Sequence, residues 1–440
     1  MNLKNLFRRK MNMNTETIEK NLGKAMSHEM SGYISEWLSM YSGQASWLKK
    51  DVKSLGLPAS ISDEISRLVA LNFSSEVKGS ERANFINKPY QDLISLIKPT
   101  VELACAGGGV IFKPYVQDGT IGIDVIQADS FIPTAFDSSG NITGAIFRDC
   151  YKDGNDYYTR LEYHHFEEGL YKVRNTAFVS TTKGDIGTEI PLSSVPKWRN
   201  LQAETTIENL KKPLFSYFKM PMANTFDTHS PLGVSVFSRA TSLIREADKQ
   251  YSRLLWEFKS GERAVYVDDT AVFRDGNGTR ILPDKRLYRM ISSDEALFKD
   301  WTPTLREQNL IRGLDLILRQ IEFSCGLTYG TLSNVENKDK TAEEIRTSKQ
   351  RSYAHVAEIQ ANLKNALTEL CGVIDAYISL YNLAPRGDYY LSFDFDDSII
   401  ADRQTEFKEK LSLLEQGIMK PYEMRMWYFG EEEEIAKQNA

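Results

Sequence analysis

Five histidines, His28, His164, His165, His229 and His355, are the first candidates for metal or acid–base chemistry. None stands in an HExxH or other metal-binding spacing. His164 and His165 are neighbours in a strand-like run, so they point to opposite faces and cannot hold one ion together. Tyr163 and His164, beside Glu162 and Glu167, offer an acid–base cluster; a half-exposed strand face accounts for the same residues. Asp394, Asp396, Asp397 and Asp402 offer carboxylates to a divalent cation, with Asp394 and Asp396 on one face of an alternating segment, but the EF-hand loop pattern is absent. Gly107-Gly108-Gly109 has the look of a phosphate cradle. No Lys-Ser/Thr follows it, and the next residues read as a strand where a phosphate loop needs a helix. Cys105, Cys150, Cys325 and Cys371 lie far apart with no CxxC pair, which excludes a zinc ribbon and a thioredoxin-like site and predicts free thiols in a reducing compartment. Neither a GxSxG elbow nor a P-loop occurs. No catalytic residue, metal or cofactor is assigned.

Composition narrows the field further. The chain has 440 residues, 41% of them hydrophobic and 26% charged, which is ordinary for a globular protein and excludes a disordered chain or a collagen. At roughly 100–200 residues per domain, about two to four domains are expected. The net charge is −6, so the chain does not grip nucleic acid through bulk positive charge. No run of about 18 uncharged apolar residues occurs, and no membrane span is expected. Residues 1–14 carry Lys4, Arg8, Arg9 and Lys10 without the apolar core of a signal peptide, and read as a basic arm.

The elements that must position any site come in blocks, which predicts an α+β fold. Residues up to about 100 are mainly helical. Trp37, Tyr41, Trp47, Leu48, Val52 and Leu55 mark apolar positions before a turn at residues 56–58. A helix is predicted from residue 60 through Leu71 with Ser62 as its N-cap, and another over 87–106 that Pro99 should kink or break. Residues 107–229 read as strands, at 110–115, 121–126, 145–151, 157–166 and 170–175, with turns at 118–119, 137–140 and 153–155. Ser230-Pro231 reads as an N-cap and first helical Pro, ahead of Phe237, Ala240, Ile244, Ala247, Tyr251, Leu254, Leu255 and Phe258 at helical spacing, stopped by Gly261. Strands are predicted at 264–267, 280–282 and 286–291, with a tight turn at Asp275, Gly276, Asn277 and Gly278. Thr302-Pro303 repeats the N-cap device before a helix that ends at Gly326. A loop of about 15 residues follows, long enough to suggest function. Thr341 and Glu344 form a capping box that opens a long helix. A strand over 389–395 and helices over 403–416 and 421–429 complete the chain.

Several stretches, in this order, resemble a tailed-phage portal protein, most of all the subgroup from siphophages of Gram-positive hosts. Gly108-Gly-Val-Ile-Phe-Lys-Pro is similar to the family's first wing strand. Residues 123–133 (IDVIQADSFIP) with Phe136-Asp-Ser-Ser-Gly140 resemble its wing turn. Ser230-Pro-Leu-Gly-Val-Ser235, before a helix carrying Asp248, resembles the entry to the first stem helix. Phe323-Ser-Cys-Gly-Leu and Thr341-Ala-Glu-Glu344 resemble the two sides of the tunnel loop. Phe393-Asp-Phe-Asp-Asp, Asp402-Arg-Gln, Leu414-Glu-Gln-Gly417 and Glu423-Met-Arg425 resemble the C-terminal strand and crown helices. The likeness spans nearly the whole chain.

The resemblance implies a portal fold: a wing of helices plus β-sheet (1–229), a helical stem (230–262 and 302–325) and a small α/β clip (263–301). It further implies a tunnel loop (326–341), a long helix with a wing return strand (342–400) and a helical crown (401–440). It implies a non-enzymatic homo-oligomeric ring, typically a dodecamer, at one capsid vertex of the virion, assembled in the host cytoplasm. Its partners would be major capsid and scaffolding proteins, the terminase large subunit, the head-completion or tail adaptor protein, and double-stranded DNA held without sequence specificity. A ring repeats each tunnel residue, and phosphate contacts accumulate steeply, so an acidic chain suits a sliding conduit; −6 is also ordinary for a soluble protein. Arg245, Lys249 and Lys259 are candidates for sparse basic rings facing DNA, while a solvated helix face or a set of inter-subunit ion pairs is the plainer reading, since charge runs are usually solvated faces. Asn334, Glu336, Asn337, Lys338 and Lys340 are tunnel-loop candidates, polar and without large aromatics; an ordinary exposed loop is the plain alternative. Residues 275–278 would present a docking edge in the clip. The competing readings are an α+β intracellular enzyme whose site is unrecognised, and another phage head or connector protein.

Overall fold

A computed structural model describes residues 27–262, 264–268, 276, 288–291, 298–301, 303–334, 342–395, 403–429 and 433–438. Helix α1 (His28–Tyr41) starts on Ser27, whose hydroxyl accepts from the Met30 amide at 3.0 Å. Helix α2 (Leu57–Val69) does not begin at Ser62. Gly56, the N-cap in the left-handed region at φ 70, and Pro58 in the first turn set its start at Leu57, five residues before Ser62. Ser62 lies inside the helix, fully buried, with its hydroxyl donating to the Pro58 carbonyl at 2.9 Å. Strand β1 (Ser74–Gly79) was not anticipated. The predicted helix over 87–106 is two helices, α3 (Glu81–Ile94) and α4 (Ile97–Gly107). Pro99 has no N–H to give the Ser95 carbonyl, so the break falls about one turn upstream of the proline, which itself sits in the first turn of α4.

The five expected strands form as β2 (Gly109–Gln117), β3 (Thr120–Gln127), β5 (Ile142–Asp153), β6 (Asp156–Glu167) and β7 (Leu170–Ser180), and four shorter strands were not anticipated: β4 (Phe131–Phe136), β8 (Thr188–Ile190), β9 (Glu204–Ile207) and β10 (Ser216–Lys219). They make an antiparallel sheet in the order β4-β5-β6-β7-β8, with β9 also on β7, and a second sheet β10-β2-β3. Ser230-Pro231 caps no helix. Residues 230–237 instead cross the end of α4, where the Val236 amide and the Ser235 hydroxyl donate to the Cys105 carbonyl at 3.0 and 3.1 Å. Helix α5 (Thr241–Ser260) starts only after a short 3-10 turn at Ser238–Ala240.

Strands β11 (Ala264–Asp268), β12 (Tyr288–Ile291) and β13 (Phe298–Trp301) form a small sheet. β11 and β12 run parallel, so they are not the two arms of a hairpin. β13, antiparallel to β11, was not anticipated, and residues 280–282 lie outside the described ones. Helix α6 (Glu307–Ser324) has Arg306 as its N-cap, four residues past the predicted Thr302-Pro303 start. Helix α7 (Ala342–Tyr381) has 40 residues; Thr341 and the side chain of Glu344 lie outside the described set. Strand β14 (Tyr389–Asp394) returns to pair antiparallel with β1. Helices α8 (Arg403–Glu415), α9 (Pro421–Phe429) and α10 (Glu433–Gln438) end the chain.

One core joins α1 to α4, β2, β3, β10 and the buried stripe of α7. The triple glycine serves that core. Gly108 sits at φ 93, and a Cβ there would lie 2.5 Å from the Gly233 carbonyl oxygen, so only glycine lets the two backbones cross. Gly108→Ala should therefore cost at least about 1–3 kcal/mol from the backbone conformation alone, read as a lowered urea midpoint with unchanged slope.

Candidate nucleic-acid interface and docking elements

Helices α5 and α6 pack as a pair, and buried carboxylates fix them. Asp248 is 2% exposed and accepts from Trp47 Nε1 and the Leu55 amide, both at 2.8 Å. Burial raises its pKa, and those two bonds oppose the rise. Glu257 accepts from the Arg306 amide at 2.9 Å, Nε at 3.1 Å and Nη2 at 2.7 Å. The Arg306 bonds hold the Glu257 pKa down to about 2. The first carboxylate ties α5 to the N-terminal helical block, and the second ties it to the start of α6.

The three basic candidates on α5 do not form a uniform row. Arg245 folds its guanidinium over the Trp47 ring, 5.1 Å from the centroid. Lys249 pairs with Glu246 at 2.6 Å. Lys259 is exposed. Between the last two stands Trp256, seven residues from Lys249 and three from Lys259, hence on their face of the helix. It is 64% exposed and was missed by sequence reasoning, which had no signal for an aromatic outside the core stripe. Trp256, Lys249, Arg253, Arg306 and Leu310 line a cleft of about 610 Å³. Leu316 and Phe323 on α6 are also exposed, at 62% and 55%.

After α6, Gly326 at φ 70 reverses the chain. Glu322, fully buried, then collects the turn: Oε1 accepts from the amides of Gly330 at 3.0 Å, Leu332 at 2.6 Å and Ser333 at 2.8 Å, and Oε2 from the Ser333 hydroxyl at 2.8 Å. The amide of Asn334, an exposed residue, donates to Asp315 Oδ1 at 2.7 Å. Sequence reasoning passed over Glu322 and Asp315; acidic residues on a helix give no hint of what folds back onto them. Glu336, Asn337, Lys338 and Lys340 lie outside the described residues, as do Asp275, Asn277 and Gly278 of the proposed docking turn. Gly276 is exposed, and a Cβ on it would meet nothing within 4 Å.

His164 is buried, whereas Tyr163 and His165 are half-buried and Glu167 is exposed, so the half-exposed face expected holds for one side of the strand and not for the other. His164 is 1% exposed, with Nδ1 2.8 Å from the Tyr171 hydroxyl and Nε2 2.9 Å from Glu162 Oε1. Tyr171 already accepts from the Leu214 amide at 2.9 Å, so it donates to Nδ1 and leaves the proton on Nε2 for Glu162. That neutral tautomer agrees with burial lowering the His164 pKa against the pull of Glu162. Burial pushes the Glu162 carboxyl up, but Lys113 at 2.8 Å, His164 and Arg160 at 3.1 Å together hold it well below its usual range. His165 stacks on Tyr163 on the other face, as the strand period requires. The cluster ties β2 to β6 and is shut from substrate. Among the described residues no three His, Cys, Asp or Glu side chains converge as metal ligands; Asp396, Asp397 and Asp402 lie outside that set. All four cysteines are free, with only Cys150 exposed.

The family described as "Phage portal protein, SPP1 Gp6-like" matches residues 90–437. The chain belongs to the phage portal protein family. The match starts in α3 and ends in α10, so it takes in strands β2 to β14, the α5–α6 pair and α7. No curated protein matches the chain. Portal proteins are structural, and the helices and antiparallel sheets here fit the portal fold and a head–tail connector role.

Two outcomes follow from the ion pairs. Lys113→Met should cost about 3 kcal/mol, because it leaves Glu162 buried with less compensation; chemical denaturation measures it. Glu257 has a folded pKa below its unfolded one, so its contribution is complete above about pH 4.5 and is lost as pH falls toward 2. Glu257→Gln should lower the thermal midpoint at pH 7 and flatten its fall between pH 5 and 2.

Proposed function

We propose that the chain is the ring-forming portal subunit at one capsid vertex, of the kind found in siphophages of Gram-positive hosts. The observation that carries this reading is the family match across both paired helices and the long helix that follows them. The ring, a homododecamer, is the conduit for double-stranded DNA during packaging and ejection. It nucleates capsid assembly with the major capsid and scaffolding proteins, docks the terminase large subunit, and later binds the tail adaptor.

In this reading residues 1–229 with the β14 return strand are the wing, α5 and α6 the stem, and residues 263–301 the clip. Residues 326–341 form the tunnel loop, α7 spans the wing, and residues 401–440 form the crown. Exposed Trp256, Leu316 and Phe323 on the stem, and Ile418 and Phe429 near the C-terminus, supply apolar area for contacts between copies. DNA is touched sparsely. Among the described stem residues Lys259, Arg253 and Arg312 are exposed cations, Lys249 is partly neutralised by Glu246, and Arg245 is engaged with Trp47. A lining with few available cations suits movement, because each added phosphate contact steepens the salt dependence by about 0.9. Among the described residues no helix is long and apolar enough to cross a membrane.

Negative-stain microscopy with native mass measurement tests the ring. Closed rings with a central channel, at about ten or more times the 50.1 kDa chain mass, are expected; a small oligomer with no ring under all assembly conditions would remove the proposal. Replacing residues 336–340 by Gly/Ser should leave ring mass unchanged and reduce DNA packaging or retention in phage carrying that portal.

A further inference from the structure

We propose that Glu322 is the positioning residue of the tunnel loop, strapping residues 326–334 to α6 so that the loop leaves the stem well before the helix end. The loop's functional meaning rests on the portal reading; the strap itself does not.

The strap is built from one buried carboxylate. Glu322 lies one residue upstream of the last turn's exposed Phe323 and has no exposed surface. A carboxylate taken from water needs its lone pairs filled. Here three backbone amides and one hydroxyl fill them, all from residues 330–333. Gly326 turns the chain back, and Leu327, 1% exposed, pins the turn into the core. The segment then runs back along the helix, because the next amide, that of Asn334, reaches Asp315. Asp315 lies seven residues before Glu322, about two turns or 10 Å along the axis. Its other oxygen is 2.8 Å from Arg319, which fixes its direction. From the opposite side, Arg351 on α7 stacks over Phe323 at 4.4 Å and reaches over Tyr329 at 5.5 Å.

The departure point of the loop is thus set by two acids on α6, Glu322 and Asp315, and not by the helix terminus. Any displacement of α6 carries residues 326–334 with it. Residues 326–334 act as a fixed base, and contact with DNA falls to residues beyond Asn334. The role is geometric. A glutamine at position 322 could accept the three amides on its oxygen and donate from its nitrogen to the Ser333 hydroxyl, whereas an alanine could do neither.

Hydrogen–deuterium exchange on the full-length protein tests the strap with Glu322→Ala, Glu322→Gln and the milder Ser333→Ala. Peptides covering 328–334 should exchange at least about tenfold faster in Glu322→Ala, close to wild type in Glu322→Gln, and by an intermediate factor in Ser333→Ala. Unchanged exchange in Glu322→Ala, or equal loss in Glu322→Gln, overturns the strap. If Glu322→Ala does not fold, Ser333→Ala decides: no local increase in exchange overturns it. In phage, Glu322→Ala portals that form rings of normal mass should lose DNA retention, and Glu322→Gln should restore it. Normal retention in Glu322→Ala with fast exchange overturns the positioning role. Wild-type protein that forms no ring removes the portal reading, and the exchange data still decide the strap.

Discussion

Helices in proteins draw most of their stability from packing an apolar face, and burying one side of the 40-residue α7 organises much of this molecule. Val356, Ile359, Leu363, Leu367, Leu370, Ile374 and Ile378 form its buried stripe, at steps of three and four. Elements distant in sequence attach along it by specific bonds. Gln360 Nε2 donates to the Val69 carbonyl at the end of α2, Asn362 Nδ2 to that of Lys219 on β10, and the Ser216 hydroxyl to that of Ala366. Near its C-terminus, buried Arg82 pairs with Asp375 and reaches Ser379 and the Ala384 carbonyl. The helical layer, the small β10-β2-β3 sheet and the return strand β14 all meet on this one surface.

Off that spine, acidic side chains act as joints. Asp248 receives the Leu55 amide, Glu257 the Arg306 amide, Glu322 three amides of the turn after α6, and Asp315 the Asn334 amide. Each takes a backbone N–H at a place where no regular secondary structure could satisfy it. A carboxylate suits this task because it only accepts, and bonds to it are stronger than those between neutral groups. Part of the chain's acidity is therefore internal scaffolding. In a proposed DNA conduit that has a further consequence: these acids add no attraction for phosphate, while the cations beside them, such as Lys249 and Arg306, are already engaged.

The single chain also leaves large apolar side chains uncovered. Trp256, Leu316 and Phe323 lie on the helices that pair with each other, and Ile418 and Phe429 lie near the C-terminus. Burying each would be worth about 1.5–3 kcal/mol, which favours assembly of copies over an isolated subunit. The buried Glu162–His164–Tyr171 chain, by contrast, sits inside one subunit and braces β2 against β6 without an opening for substrate.

Local pattern alone determined the α+β class, the long strands between residues 109 and 180, the two paired helices and the 40-residue helix, because hydrophobic period and turn residues act over a few positions. It also carried the order of motifs by which the family is recognised. Helix starts were misread at Ser62, Ser230 and Thr302, since a capping residue type marks only a potential start and the backbone's other bonds choose. Tertiary structure alone decided the pairing of β1 with β14, which lie more than 300 residues apart, and the parallel pairing of β11 with β12. It alone put His164 in the interior, Trp256 on the surface and four backbone amides on Glu322 and Asp315. Those outcomes depend on which distant groups meet, and burial gives a carboxylate or an indole its meaning only after they have met.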